Sequence, residues 1–171
     1  MSVARMLRFP NPVNEVAARL VAAGVVVMSL PVVLFGWTWL LIPLALGFVL
    51  RVAAGPRWSP LALVVTRLVV PRLRVRQKLV AGPPKRFAQA IGATLSIAAC
   101  VATFVADAPM LGRMLAAMIA AAAFLESAFA LCLGCAIFAG LMRIGVIPQS
   151  VCAECAEISE RLAGFEARDV A

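Results

Sequence analysis

The chain has 171 residues, of which 64% are apolar and 14% are charged, and its mean hydropathy is +1.01. Soluble domains carry about 25% charged residues. This chain therefore cannot cover a water-facing surface with polar groups, and the sequence predicts an integral membrane protein. Sixteen Lys and Arg residues oppose eight Asp and Glu residues, and His is absent. Because the cations concentrate between apolar stretches, we interpret them as determinants of membrane topology and of binding to anionic lipid, and not as a nucleic-acid-binding surface.

The apolar stretches predict an all-α fold, an integral membrane bundle of four transmembrane helices arranged as two hairpins. Each stretch is close to the ~20 residues that cross ~30 Å of hydrocarbon. Pro43 lies inside the second stretch and predicts a kink or a slant. A short link closes each hairpin, and the first link carries Trp37 and Trp39, whose indoles suit a membrane–water interface. The predicted spans are residues 16–35, 38–54, 87–106 and 111–141.

The distribution of cations predicts the orientation of the bundle. Residues 1–19 carry three Arg residues, residues 51–86 carry nine Lys or Arg residues, and Arg143 follows the fourth span. Both termini and the central loop are therefore predicted on the cytoplasmic side of a bacterial plasma (inner) membrane. The loop combines an apolar stretch with alternating basic residues at 72–78, which predicts a basic interfacial segment on the membrane surface. The alternative is a gate for an anion or a substrate.

A second unit is predicted after the bundle. Gly145 and Pro148 break the chain, and Ser150 suits the N-cap of a short helix over residues 151–163. The chain is thus divided into a four-helix transmembrane domain, residues 1–145, and a cytoplasmic amphipathic tail helix within residues 146–171.

Four of the five cysteines form two Cys-x-x-Cys pairs, Cys132 with Cys135 and Cys152 with Cys155, separated by sixteen residues. This spacing falls in the range of zinc sites and also suits two thiol-redox pairs. We expect the first pair close to the cytoplasmic interface. The second pair falls in the first turns of the tail helix, where the helix dipole favours the thiolate. The thiols are predicted to be ligands of zinc or an iron–sulfur centre, redox carriers or sulfur acceptors. Simple packing is the alternative, and it is the interpretation of Cys100.

Glu126 lies inside the fourth predicted span, near its middle. An ionisable residue within a membrane predicts a proton path or a cation site. The alternative is a protonated carboxyl group that forms a hydrogen bond with Ser96, Thr94 or Thr103 across a helix interface. On one continuous helix Glu126 points ~120° or more away from Cys132. We therefore expect the carboxylate and the thiols to form two separate features.

Parts of the sequence resemble a bacterial membrane family known as domain of unknown function 4395. The resemblance rests on residues 9–15 (Phe-Pro-Asn-Pro-Val-Asn-Glu), on Glu126 with the Cys132-Leu-Gly-Cys135 motif, and on the basic central loop. The family has no assigned activity. The resemblance implies a soluble thioredoxin-like or rhodanese-like partner, and hence thiol or sulfane-sulfur chemistry at Cys132 and Cys135. Within the first motif we predict a helix start with Glu15 in its first turn.

The leading hypothesis is an inner-membrane protein that handles thiol-redox or sulfane-sulfur equivalents at its cytoplasmic face. In this hypothesis the tail pair, Cys152 and Cys155, exchanges with the soluble partner and passes oxidation state or sulfur to Cys132 and Cys135. A structural or sensor protein with a Cys₄ zinc or iron–sulfur site is the second hypothesis. A small transporter that uses Glu126 is the third, and it requires a homo-oligomer because four short helices leave little room for a pathway. Membrane lipid is a further expected partner, and the sequence leaves open whether the protein is an enzyme.

Overall fold

The computed structural model describes residues 13–55, 59–65, 67, 79–148 and 151, and these residues are mostly helical. Two short strands, β1 (Val13–Asn14) and β2 (Leu79–Val80), pair antiparallel. A 3₁₀ turn over Thr38–Leu40 precedes the second helix. The helices are α1 (Glu15–Phe35), α2 (Leu41–Ala54), the short α3 (Pro60–Val64), α4 (Gly82–Phe104), α5 (Pro109–Phe129) and α6 (Leu133–Arg143).

Local side chains fix both ends of α1. The Asn14 Oδ1 atom accepts hydrogen bonds from the backbone N–H groups of Val16 at 3.0 Å and Ala17 at 3.4 Å. Glu15 adds a carboxylate in the first turn, where the helix dipole favours a negative charge. Gly36 ends the helix at φ 70°, a left-handed conformation that glycine adopts without strain. The predicted helix start is confirmed.

Prolines lie in the first turns of two helices, α4 and α2. α4 begins at Gly82 and contains Pro83 and Pro84 in its first turn. The first N–H groups of a helix have no partner within the helix, so proline removes no hydrogen bond there. Pro43 likewise lies in the first turn of α2, where it requires no kink.

The prediction of one continuous helix over residues 111–141 is wrong. α5 ends at Phe129, and Ala130 follows in the left-handed conformation at φ 58°. The Ala130 N–H group donates to the carbonyl oxygen of Glu126 at 3.1 Å, as at a helix end. A second helix, α6, then begins at Leu133. A left-handed non-glycine residue costs about 1–2 kcal/mol, so contacts elsewhere in the fold must offset the break.

Three helices, α1, α4 and α5, are long and apolar enough to cross a membrane. α1 packs most extensively on α5, and α4 packs on α2, α5 and α6, whereas the α1–α2 contact that the first predicted hairpin requires is sparse. Small buried residues such as Ala99 and Ala116 allow this close approach. Large apolar side chains face outward, as in helices that contact hydrocarbon. They include Val27, Leu34, Leu46, Met114 and Met118.

Two arginines join the ends of α1 and α5. Arg19, near the start of α1, donates through Nη2 to the carbonyl oxygens of Ser127 at 2.9 Å and Ala128 at 3.1 Å. Arg113, near the start of α5, donates to the carbonyl oxygen of Val33 at 2.6 Å. Each arginine thus bonds to last-turn carbonyl groups of the other helix, which lack partners within their own helix. The two helices therefore run antiparallel.

Replacing Arg19 by Met tests this contact. We expect Arg19→Met to lower the free energy of unfolding by about 1.5–3 kcal/mol, because hydrogen bonds from a charged donor to last-turn carbonyl groups are lost while the apolar stem is kept. The measurement is a chemical unfolding curve in detergent. Arg143→Met is the control, since Arg143 is exposed at the end of α6 and its replacement should change stability by less than about 0.5 kcal/mol. Equal losses in the two variants would contradict the role of Arg19.

Candidate functional site

The Cys132–Cys135 pair lies at the start of α6. Cys132 is the N-cap residue, and its Sγ atom accepts a hydrogen bond from the backbone N–H of Cys135 at 3.3 Å. The two sulfur atoms are joined in a disulfide, with the Cα atoms 5.2 Å apart. When the pair is reduced, the thiolate of Cys132 is next to the positive end of the α6 dipole. This environment activates a cysteine nucleophile.

Gly134, between the two cysteines, lets α6 lie directly on α4. A Cβ atom at position 134 would be 2.5 Å from the Cα atom of Ala88, a distance that real Cβ atoms do not adopt. One turn further along α6, the ring of Phe138 packs on the ring of Phe87 with centroids 5.6 Å apart. The glycine of the Cys-x-Gly-Cys motif is therefore a packing requirement that fixes the cysteine pair against the start of α4.

A buried ion pair lies at the same end of the bundle. Lys85 Nζ, in the first turn of α4, donates to Glu126 Oε1 at 2.5 Å, and the two side chains are only 10% and 16% exposed. The expectation that Glu126 lies near the middle of a span is wrong, because Glu126 falls in the last turn of α5. The expected hydrogen bond to Ser96, Thr94 or Thr103 is also wrong. Ser96 and Thr94 donate to carbonyl oxygens of their own helix, and Thr103 Oγ1 has no partner among the described residues.

Arg51 is a second buried cation near this ion pair. Its residue is 4% exposed in the last turn of α2, and its Nε atom donates to the carbonyl oxygen of Gly47 at 2.9 Å. The guanidinium carbon lies 4.3 Å from the ring centroid of Phe48, a cation–π contact. Glu126 attracts this guanidinium electrostatically. From the sequence, Arg51 and Lys85 were interpreted as topological charges, but the structure buries both near one carboxylate.

Arg51, Glu126 and Cys132 line one cavity of about 270 Å³. Gln89 of α4 lines it as well, and the Oε1 atom of this side chain is buried without a hydrogen-bond partner among the described residues. The other walls are apolar side chains of α1, α4, α5 and α6. The prediction that the carboxylate and the thiols form separate features is therefore wrong. The break at Ala130 brings the start of α6 back beside the end of α5.

Other predicted features lie partly outside the described residues. Cys152 and Cys155, most of the predicted tail helix and the basic segment at 72–78 are among the residues that the structure does not describe. Within the described ranges, no group of three or more His, Cys, Asp or Glu residues comes together as a metal site. Cys100 is a free thiol, partly buried against the core, as expected for a packing residue.

Comparison with known families places this site in context. The family described as Domain of unknown function (DUF4395) matches residues 13–143, well over half of the chain. The chain belongs to this family. The resemblance inferred from the sequence is thereby confirmed, and the DUF4395 match contains the whole charged and thiol-bearing site. It ends before the tail pair, Cys152 and Cys155. No curated protein and no solved structure matches the chain.

Replacing Gly134 tests the packing of the DUF4395 cysteine motif. We expect Gly134→Ala to lower the free energy of unfolding by about 1–3 kcal/mol, because the added methyl group meets the backbone of Ala88 and forces α6 away from α4. Gly140→Ala is the matched control on the same helix, since a Cβ atom at position 140 meets nothing within 4 Å. This control should raise stability by about 0.5–1 kcal/mol. Unfolding curves in detergent measure both, and a Gly134→Ala variant as stable as the control would contradict the packing argument.

The cluster formed by Glu126, Lys85 and Arg51 predicts which replacement lowers stability more. Glu126→Gln leaves both Lys85 and Arg51 without their shared anion, and we expect it to lower stability by about 3–5 kcal/mol. Lys85→Met should lower stability less, because Glu126 keeps Arg51 as a neighbouring cation. Unfolding free energies of the two single variants and of the double variant measure the coupling. A larger loss in Lys85→Met than in Glu126→Gln would show that Arg51 does not depend on this carboxylate.

Proposed function

We propose that this chain is an integral protein of a bacterial plasma membrane that exchanges thiol and disulfide equivalents through Cys132 and Cys135. In this proposal residues 15–35, 38–54, 82–104 and 109–129 make the four crossings. The length and apolar surface of α1, α4 and α5 support membrane insertion. The Lys and Arg residues of the central segment support a cytoplasmic position for the end of the bundle that carries the cysteine pair. The N- and C-termini lie on the same side.

The observation that carries the proposal is the position of the Cys132–Cys135 disulfide at the N-terminus of a helix. The backbone N–H of Cys135 and the α6 dipole both stabilise negative charge on the sulfur of Cys132. Stabilising the thiolate makes this sulfur the reactive member of the pair in exchange. The bond between the two sulfurs favours electron exchange over carriage of sulfane sulfur.

In the proposed reaction, a substrate with two thiols reduces the Cys132–Cys135 disulfide in two steps. A thiolate of the substrate attacks Cys132 Sγ, the Cys132–Cys135 bond breaks, and Cys135 leaves as a thiolate. A second thiolate of the substrate then attacks the substrate sulfur that is bonded to Cys132. This bond breaks, and Cys132 leaves as a thiolate. The substrate leaves as a disulfide, and two electrons remain in the Cys132–Cys135 dithiol. A thioredoxin-like or rhodanese-like soluble protein is the proposed substrate, with the tail pair Cys152 and Cys155 as a relay.

The other two functions predicted from the sequence have less support. The ion pair with Lys85 favours a structural role for Glu126 over the binding of a transported ion. A Cys₄ zinc or iron–sulfur site would also need Cys152 and Cys155, which lie outside the described residues. Elemental mass spectrometry of protein purified without oxygen separates the cases. About one zinc per chain, or stoichiometric iron, would assign the four cysteines to metal binding and contradict the redox proposal.

Single-cysteine variants test the redox proposal. In a Cys100→Ala/Cys152→Ser/Cys155→Ser background, we expect Cys132 of a Cys135→Ser variant to react with a dipyridyl disulfide about tenfold faster at neutral pH than Cys135 of a Cys132→Ser variant. The reason is that only Cys132 occupies the N-cap position. Release of the pyridine thione is followed by its absorbance.

The matching exchange assay uses the wild-type protein, in which both the tail pair and Cys132 and Cys135 are intact. Oxidised protein is mixed with a reduced thioredoxin-like protein, and alkylation followed by mass spectrometry counts the thiols on each. We expect the thioredoxin-like protein to lose two thiols as Cys132 and Cys135 gain two. Equal reactivity of the single-cysteine variants together with no exchange would overturn the proposed function.

A further inference from the structure

The cavity beside Cys132 has the size and the lining of a ligand site. Its volume of about 270 Å³ greatly exceeds the ~10–15 Å³ that a single water molecule requires, and a cavity of ~150 Å³ already accommodates a benzene ring. Met118 and Ile137 line the cavity, and they are also 57% and 51% exposed on the outer surface. The cavity is therefore reached from the apolar exterior of the bundle, which is the entry route of a lipid-soluble molecule.

The polar groups of the cavity define which head group such a molecule carries. The guanidinium of Arg51 offers hydrogen-bond donors, which select a carbonyl or other acceptor oxygen. The Oε1 atom of Gln89, which has no hydrogen-bond partner among the described residues, requires a donor, such as a hydroxyl group. A ring that presents a carbonyl group in one oxidation state and a hydroxyl group in the other meets both requirements. Glu126 also lines the cavity, with its charge paired to Lys85, and the other walls suit an apolar ring and tail.

Cys132 lines the same cavity, so a bound ring lies next to one member of the redox pair. Each round of the proposed exchange leaves Cys132 and Cys135 reduced, and turnover requires a two-electron acceptor. We propose, building on the thiol-exchange function above, that this cavity binds a lipid-soluble quinone that reoxidises the Cys132–Cys135 dithiol.

The electrons and protons of this step balance. The thiolate of Cys132 adds to the quinone ring, and a carbon–sulfur bond forms. Cys135 then attacks Cys132 Sγ, the disulfide forms, and the carbon–sulfur bond breaks as its electron pair passes to the ring. The quinone gains two electrons and the two protons that the dithiol loses, and it leaves as the hydroquinone.

The test uses the purified full-length protein in detergent, reduced and freed of excess reductant, with a benzoquinone that bears a short isoprenoid chain. The tail cysteines are replaced by Ser and Cys100 by Ala, so that only Cys132 and Cys135 react. We expect about one quinone to be reduced per Cys132–Cys135 pair, because the disulfide is a two-electron couple. Absorbance follows hydroquinone formation, and alkylation with mass spectrometry follows the thiols.

Two variants assign the reaction to the cavity. Ala122 lines the cavity and its neighbour Ala121 is exposed outside the lining. We expect Ala122→Phe to lower the rate of quinone reduction at least roughly tenfold by filling the site, while Ala121→Phe retains it. Arg51→Gln should raise the KM for the quinone roughly tenfold through loss of a charged hydrogen bond. Arg86→Gln, at an exposed arginine outside the cavity, should leave the KM unchanged.

Exchange with the thioredoxin-like protein, measured on wild-type protein, separates the two proposals. Exchange without quinone reduction overturns the quinone site and leaves the thiol function standing. Undiminished quinone reduction in Ala122→Phe also overturns the site. Absence of both reactions overturns the thiol function and the quinone site together.

Discussion

Charged groups inside an apolar bundle must find partners within the protein, because apolar surroundings offer none. Several of those in the described part of the chain gather at one end of the bundle, while Arg113 bonds to Val33 at the other end. Glu126 attracts both Lys85 and Arg51, and Arg19 covers the last carbonyl groups of α5. The pairing of β1 with β2 adds backbone hydrogen bonds between the segments that lead into α1 and α4. The starts of α1 and α4 and the ends of α2 and α5 are thereby held together, and this fixed end provides the platform for the cysteine pair.

The cysteine pair depends on where α5 stops. Because α5 ends at Phe129 and Ala130 turns the chain, α6 starts beside the platform and packs through Gly134 directly on Ala88. A continuous helix would have carried Cys132 further from the charge cluster and turned its side chain away from Glu126. The local cost of a left-handed alanine is offset by this packing. One backbone break therefore assembles thiol, carboxylate and guanidinium around a single cavity.

The two proposals connect two properties of this cavity. Its polar lining includes Arg51, Gln89, Glu126 and Cys132. Its apolar side joins the outer surface of the bundle through Met118 and Ile137. A redox pair at such a position is placed to exchange with a soluble thiol protein on one side and with a lipid-soluble acceptor on the other. The disulfide supports exchange with the soluble thiol protein, and the cavity supports transfer to the lipid-soluble acceptor. Both features are needed to propose both reactions.

The sequence by itself determined the helical class and the approximate limits of α1, since composition and helix caps are local signals. Only the tertiary structure decided that α5 ends at Ala130, because no glycine or proline marks that position. The burial of Arg51 and Lys85 was equally hidden. In a sequence, a cation near the end of an apolar stretch looks like a residue that contacts lipid head groups. Lys85 finds its partner in Glu126, an anion distant in the chain, and local patterns carry no information about which distant residues will meet.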